Sequence, residues 1–280
     1  MLWQVDSQRI LDLTRHAVVM GIVNVTPDSF SDGGRFHDPD AAVAHGLALL
    51  AEGAGLVDVG GESTRPGARA VPADEEAGRV LPVIRGIRKA VPDALVSVDT
   101  MKAAVARAAL AAGACILNDI TGLAGDPQMA PLAAGSDCGL VIMHMQGTPR
   151  TMQAAPHYDD VVAEVRAYFH QRLEALAALG IAPQRIVFDP GIGFGKTDEH
   201  NLALLRHLDQ LAPAGRPLLL GVSRKSFIGR VLGTDGLAGR SAATVALTSH
   251  ARTLGVRILR VHEAAPNLHA LRITEAILGV

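Results

Sequence analysis

Polar residues in this chain gather where short apolar runs end, and such junctions recur eight times along its 280 residues. The first run exits into Asn24-Val-Thr-Pro-Asp-Ser-Phe-Ser-Asp-Gly-Gly34, the second into Gly60-Gly-Glu-Ser-Thr-Arg-Pro-Gly67. The third ends in Asp99-Thr100, the fourth in Asn118-Asp119, the fifth in Met143-His144-Met145. The sixth exits into Asp189-Pro-Gly-Ile-Gly-Phe-Gly-Lys196, the seventh into Ser223-Arg-Lys-Ser226, and the eighth ends in Arg260-Val-His262-Glu263. A single Asp or Asn at such a point often only caps the next helix. Asp99, Asn118 and Asp189 carry more as a set, because each closes a separate apolar run. Together they would line one pocket with carboxylate and amide acceptors. That suits an amino-pyrimidine edge, which presents several N–H donors; buried acceptors without such a partner cost about 1–3 kcal/mol each.

Positive charge stands at other exits: Arg65 after the second run, Lys225 after the seventh, and Arg260 and His262 in the eighth. Arg224 and Arg230 read as surface cations. Arg260 does not, because it lies between Leu259 and Val261 in an apolar strand. Asn24 and neighbouring hydroxyls offer the hard oxygen ligands that Mg²⁺ prefers, shared with a substrate phosphate.

The elements that must position these residues follow from hydrophobic patterning. Strand candidates are Ala17–Thr26, Leu56–Gly61, Ala94–Thr100, Cys115–Ile120, Gly139–Met145, Arg185–Pro190, Pro217–Ser223 and Ile258–Glu263. Most are continuous apolar runs, as expected of parallel strands buried on both faces. Helical segments fill the gaps: Asp40–Gly53, Asp74–Ala90, Lys102–Ala112, Pro127–Ala134, Tyr158–Leu179, Asp198–Leu211, Arg240–Leu254 and Pro266–Leu278. Eight strands, each followed by a helix, predict a (β/α)8 TIM barrel, whose functional residues lie at the C-terminal strand ends and whose phosphate sites lie beside the last strands. Residues 1–16 predict a short extra strand or hairpin over the barrel floor. The whole chain, 1–280, reads as one domain, with the barrel spanning 17–280.

Composition agrees. Hydrophobic residues make up 49 % and aromatics only 3 %, so Ala, Val, Leu and Ile must fill the core. A formal charge of −2 argues against a nucleic-acid or anionic-membrane surface. Cys115 and Cys138 lack metal-ligand spacing and read as core thiols, which suits a reducing cytoplasm. The charged N-terminus does not read as a signal peptide, and no run reaches the ~18 apolar residues of a membrane helix.

Three decoys fail. Pro190 stands where a Walker A loop needs its first glycine, although Gly195-Lys196-Thr197 completes the pattern. The same glycines do not space as G-x-G-x-x-G and read as a turn that lets backbone approach a ligand. The histidines lack H-E-x-x-H spacing, and no serine sits in a G-x-S-x-G elbow.

The segments Gly21–Gly34, Asp58–Gly67, Ser97–Thr100, Asn118–Ile120, Asp189–Lys196, Ser223–Ser226 and Arg260–His262 resemble, in order, the motifs of the dihydropteroate synthase family. The resemblance runs from about residue 17 to the end of the chain. It implies condensation of dihydropterin pyrophosphate with p-aminobenzoate, with Mg²⁺ as cofactor and sulfonamides as mimics of the second substrate. It implies that Asp99, Asn118, Met143, Asp189, Lys225 and Arg260 hold the pterin. Asn24, through Mg²⁺, with Thr64, Arg65, Arg260 and His262, would hold pyrophosphate. Phe30, Thr64, Pro66, Phe194, Lys225 and Ser226 would shape the p-aminobenzoate slot. Asp99, Lys225, Arg260 and His262 would carry the catalysis, without a covalent nucleophile. Glu263 and Ile192 depart from the family's common Asp and aromatic. A pterin-binding methyltetrahydrofolate methyltransferase domain would share the pocket without a pyrophosphate site, and an inactive paralogue would have lost a loop or ligand. The family also implies a homodimer, with Val245, Leu247, Ile273 and Ile277 as candidates for its interface.

Overall fold

The computed structural model describes residues 1–26, 39–65, 67–234 and 236–280. An antiparallel hairpin opens the chain, β1 (Leu2–Gln4) with β2 (Ile10–Asp12). Eight parallel strands follow: β3 (Val18–Asn24), β4 (Leu56–Gly60), β5 (Val96–Asp99), β6 (Ile116–Asp119), β7 (Gly139–Met143), β8 (Ile186–Asp189), β9 (Leu219–Leu220) and β10 (Ile258–Val261). Their order is β8-β7-β6-β5-β4-β3-β10-β9. A bridge between Phe188 and Leu218, with the Phe188 N–H donating to Pro217 O at 3.1 Å, joins β8 to the approach of β9 and closes the ring. The expected TIM barrel and its N-terminal hairpin are both present.

Helices cover the outside: α1 (Pro39–Ala51), α2 (Ala73–Ala90), α3 (Ala103–Ala111), α4 (Met129–Ala134), α5 (Val161–Ala178), α6 (Asp198–Arg206), α7 (Ser226–Leu232), α8 (Leu237–Thr253) and α9 (Ala264–Leu278). Apolar periodicity did not reveal α7, a short helix holding Gly229 and ended by Gly233 in the left-handed region. The expected helix over Asp198–Leu211 stops at Arg206 and continues as a 3₁₀ turn, Leu208–Gln210. The broad seventh strand shrinks to Leu219–Leu220. None of the described helices is long and apolar enough to cross a membrane.

Side chains alternate across a strand, so each barrel strand sends every second residue inward. Odd β4 positions Val57 and Val59 join the outer core beneath the helices, with Val96, Val98, Leu140, Ile142, Phe188 and Leu259. Inward residues near the strand starts form a second apolar layer of Met20, Leu56, Ile116, Val141, Val187, Leu219 and Ile258. Trp3, Val5 and Leu13 of the hairpin region plug this layer from below. Trp3 is fully buried, and its Nε1 donates to Arg185 O at 2.9 Å. Cys115 and Cys138 are buried free thiols.

Higher along the strands, the inward positions turn polar. Register aligns them: Asn24 pairs with Gly60, Gly60 with Asp99, Asp99 with Asn118, and Met143 with Asp189. The barrel is thus a closed apolar floor under a polar mouth. Trp3→Ala removes the plug and its hydrogen bond; it should lower the unfolding free energy by about 3–5 kcal/mol, measured by urea denaturation followed by circular dichroism.

Candidate active site

Arg260 enters the barrel from β10 one layer above Ile258, and the ring of inward positions decides what it meets. Its Nε donates to Asp58 Oδ2 at 2.6 Å and its Nη2 to Asp99 Oδ2 at 2.8 Å. Asn118 Nδ2 donates to the same Asp58 oxygen at 2.9 Å. One hydrogen-bonded cluster therefore ties four strands together: β10 carries the guanidinium, β4 and β5 its carboxylates, and β6 the amide that bonds Asp58. Burial opposes the Arg260 charge, but the two carboxylates outweigh it and raise its pKa further. Two carboxylates share this one cation. Burial pushes the Asp99 carboxyl up to about 7, against the pull of Arg260 and with the repulsion of Asp58.

Asp58 is the residue that motif reading missed. It opens the motif segment Asp58–Gly67, where the resemblance assigns it no role. Its signal was an acidic residue inside the apolar run Leu56–Gly60, fully buried in the structure. Its Oδ1 finds no hydrogen-bond partner among the described residues.

Across the mouth, Asp189 at the end of β8 accepts the Gly191 N–H at 2.8 Å. Burial raises its pKa, opposed by Lys225. Lys225, the residue before α7, is pulled down to about 8 by burial, with Asp189 opposing. Its Nζ donates to Ile192 O and lies 4.8 Å from the centre of the Phe194 ring. A Cβ at Gly221 would stand 3.7 Å from Asp189 Oδ2 and 3.9 Å from the Arg260 Cβ. A side chain there would fill the space between the acid and the guanidinium. Met143, buried, neighbours Asp189 through the β7–β8 register.

A third group is cationic. His262 Nδ1 lies 2.9 Å from Ser223 Oγ. Burial first, then the charges of Arg224, Arg260 and Arg65, holds its imidazole down to about 3. His262 is therefore neutral beside three arginines, and an arriving anion would relieve that repulsion. Arg224, expected on the surface, is half-buried; it adopts φ 59° and pairs with Glu263 at 3.2 Å. Arg230 does lie outside and pairs with Asp198.

The long loop after β4 has a hidden anchor. Lys102 binds Glu62 at 2.6 Å and also Glu76, and Glu62 Oε1 accepts the Val71 N–H at 2.8 Å. Glu76 looked like an ordinary acidic first-turn residue of α2, yet it is fully buried. This triad braces the segment carrying Thr64 and exposed Arg65. Asn24 ends β3, with its Oδ1 3.9 Å from where a Gly60 Cβ would stand. Ser226 is exposed at the start of α7. Phe30 and Pro66 lie outside the described residues.

The geometry gathers Asp99, Asn118 and Arg260 directly, with Asp189, Lys225 and Phe194 opposite and His262 beside Arg260. Residues 20–262 match the family model for pterin binding enzymes. The chain is 48 % identical to the dihydropteroate synthase of Mycobacterium leprae over 93 % of each chain. It belongs to the dihydropteroate synthase family. Among solved members, Xanthomonas albilineans dihydropteroate synthase with 4-aminobenzoic acid superposes with a TM-score of 0.91 at 46 % identity, covering 100 % of this chain and 98 % of that one. The Yersinia pestis dihydropteroate synthase with a sulfonamide drug complex gives 0.93 at 42 % identity, covering all of both chains.

The Asp58–Arg260 pair is the interior feature most exposed to test. Asp58→Asn keeps the shape and removes one of the two negative charges on Arg260. The unfolding free energy should fall by about 3 kcal/mol in urea titration, in line with breaking a buried ion pair. An unchanged midpoint would mean that Asp99 alone holds the arginine.

Proposed function

We infer that this chain catalyses the condensation of 6-hydroxymethyl-7,8-dihydropterin pyrophosphate with p-aminobenzoate, giving 7,8-dihydropteroate and pyrophosphate in folate synthesis. The observation that carries this reading is the division of one barrel mouth into an acceptor-lined pocket (Asp99, Asn118, Asp189) and a rim in which the cations Arg260 and Arg65 flank the neutral imidazole of His262. A methyltransferase would need the pocket without the rim.

The acceptors would take the N–H donors of the pterin's amino-pyrimidine edge, with Lys225 and Met143 beside it. Arg260, between the pocket and the rim, would face both halves of the substrate. The bond between the pterin methylene carbon and the pyrophosphate oxygen breaks, and its electron pair leaves with pyrophosphate. Arg260, Arg65 and His262 stabilise that developing negative charge, in a site already arranged to receive it. The carboxylates favour the positive charge left on the pterin. The arylamine nitrogen then forms the new C–N bond and loses a proton to solvent; no protein nucleophile is required. Thr64, Pro66, Phe194, Lys225 and Ser226, with Phe30, would border that second substrate, where sulfonamides would compete.

Asn24 fits Mg²⁺ as a single hard-oxygen ligand at the rim. Among the described residues there is no cluster of three or more His, Cys, Asp or Glu that would form a protein cage. This donor set suits an ion shared with substrate phosphates. When bound, it would supply charge neutralisation at the leaving pyrophosphate.

A second copy of the chain is the proposed partner. On α9, Ile273 and Ile277 are strongly exposed, joined by Leu237 of α8 and Leu278. Leu247 instead packs against the core and Val245 is half-buried, so neither stands out as they do.

Pyrophosphate release from dihydropterin pyrophosphate, with and without p-aminobenzoate and Mg²⁺, tests the reaction; no release under any condition overturns it. Arg260→Ala should reduce turnover by about 100-fold or more, and full turnover would remove it from the rim. The Asp99 carboxyl, raised to about 7, is ionised above that pH and neutral below it. A neutral carboxyl accepts pterin N–H donors poorly. Affinity for 6-hydroxymethylpterin, measured by calorimetry, should therefore weaken as pH falls from about 8 to 6 in the wild type, and change less across that range in Asp99→Asn, where Lys225 and Asp189 are the titrating groups left in the pocket.

A further inference from the structure

The segment after β8, Gly191–Lys196, is tied down more densely than its glycine content suggests. Every carbonyl from residue 191 to 195 accepts a hydrogen bond from a side chain. Gly191 O and Phe194 O each accept from Lys196 Nζ at 3.0 Å. Ile192 O accepts from Lys225, Gly193 O from Gln153 Nε2 at 2.7 Å, and Gly195 O from Tyr158 Oη at 2.9 Å. On the amide side, Gly193 N–H donates to Asn201 Oδ1 at 2.7 Å.

The segment also lies flat on the connection that follows β7. A Cβ at Gly191 would stand 1.9 Å from His144 O, and one at Gly195 2.4 Å from Gln146 O. Both glycines have φ of +63°. Lys196 fastens the two connections together, because its Nζ also lies 3.0 Å from His144 Nδ1. His144 is neutral, held down to about 3 by burial and by Lys196, so its ring nitrogen is available as an acceptor. Lys196 itself is 2 % exposed. Burying an amine of this kind is costly unless its protons are all used. Its Nζ is ringed by these protein acceptors and turned away from the open mouth's solvent. What it holds in place is Phe194, the half-buried ring against which Lys225 packs.

We propose that Lys196 is a positioning residue for the arylamine: with Tyr158 and Gln153 it locks the backbone on which Phe194 stands, and so sets affinity for the second substrate rather than for the pterin. This rests on the reading above that p-aminobenzoate enters beside Phe194 and Lys225. Of the three pterin acceptors, Asp99 and Asn118 belong to other strands and are held by Arg260 and Asp58, independently of this segment; Asp189 meets it only at its first residue, through the Gly191 N–H.

The test uses the full chain with Lys196→Met, which keeps the length and removes the donors, and the milder Tyr158→Phe. Lys196→Met should raise KM for p-aminobenzoate about tenfold or more while KM for dihydropterin pyrophosphate stays within about twofold. Tyr158→Phe should shift the same constant in the same direction by less. In a double-mutant cycle, Lys196→Met should add little to Phe194→Ala, because both act through one ring. Equal shifts in both KM values, no shift in either, or full additivity with Phe194→Ala would overturn the proposal. Hydrogen–deuterium exchange provides a readout without substrate: amides 191–195 should exchange faster in Lys196→Met, with the β3–β6 amides unchanged. If the wild-type chain released no pyrophosphate, the functional reading would fail by itself. Exchange would then still decide the anchor, with faster exchange supporting it and unchanged exchange refuting it.

Discussion

One guanidinium with two carboxylates organises the interior of this barrel. Arg260 cannot leave water without partners, and the partners available to it are what other strands of the barrel point inward within its reach. Asp58 and Asp99 meet it there, and Asn118 completes the set by bonding Asp58. A buried ion pair of this kind contributes little net stability compared with an apolar layer, yet breaking it is costly. It ties four strands into one register. A slip of one residue in any of them would send the polar side chain to the outer, helix-facing side. The polar layer is thus a constraint on the fold before it is a binding surface. With one surplus negative charge, it is also incompletely neutralised, which favours a ligand that arrives with N–H donors or acquires positive charge.

Outside that layer, two lysines, Lys102 partly buried and Lys196 buried, hold the connections in different ways. Lys102 joins Glu62 to Glu76, so the segment bearing Thr64 and Arg65 is braced against α2 and the start of α3. Lys196 gathers backbone carbonyls and joins the connections after β7 and β8. The first uses opposite charges, which raise the Lys102 pKa against the pull of burial. The second uses uncharged acceptors, and burial draws Lys196 down to about 7. Side chains that carry no assigned chemistry thus determine where the chemistry-bearing residues stand.

The architecture was readable because parallel strands buried on both faces leave continuous apolar runs, and each run ended on its polar residue. Asp99, Asn118, Asp189 and Arg260 were found in this way and do converge. Asp58 escaped because a polar residue inside a run, rather than at its end, looks like an interruption of the pattern. Only the barrel's curvature shows that it faces Arg260. Glu76 and Lys102 escaped for another reason: first-turn acids and pre-helix lysines suit the helix dipole and solvent equally well, and their pairing spans elements far apart in sequence. Lys196 stands in a segment whose spacing departs from a nucleotide loop at Pro190, and its tertiary partners His144 and Gly191 are not visible from spacing. Helix α7 was missed because seven residues with an internal glycine carry too little periodicity to register.

The hairpin plug has an optical consequence. Trp3 is the only tryptophan in the chain, and it lies beneath the apolar floor, at the end of the barrel opposite the polar mouth. Its indole is dry, packed among strand starts and hydrogen-bonded to a backbone carbonyl. Its emission therefore reports whether the barrel floor is intact. Events at the mouth are spectrally separate from it, and there the pterin ring itself is the natural chromophore. A single sample can thus be followed at two wavelengths, one for the scaffold and one for the site.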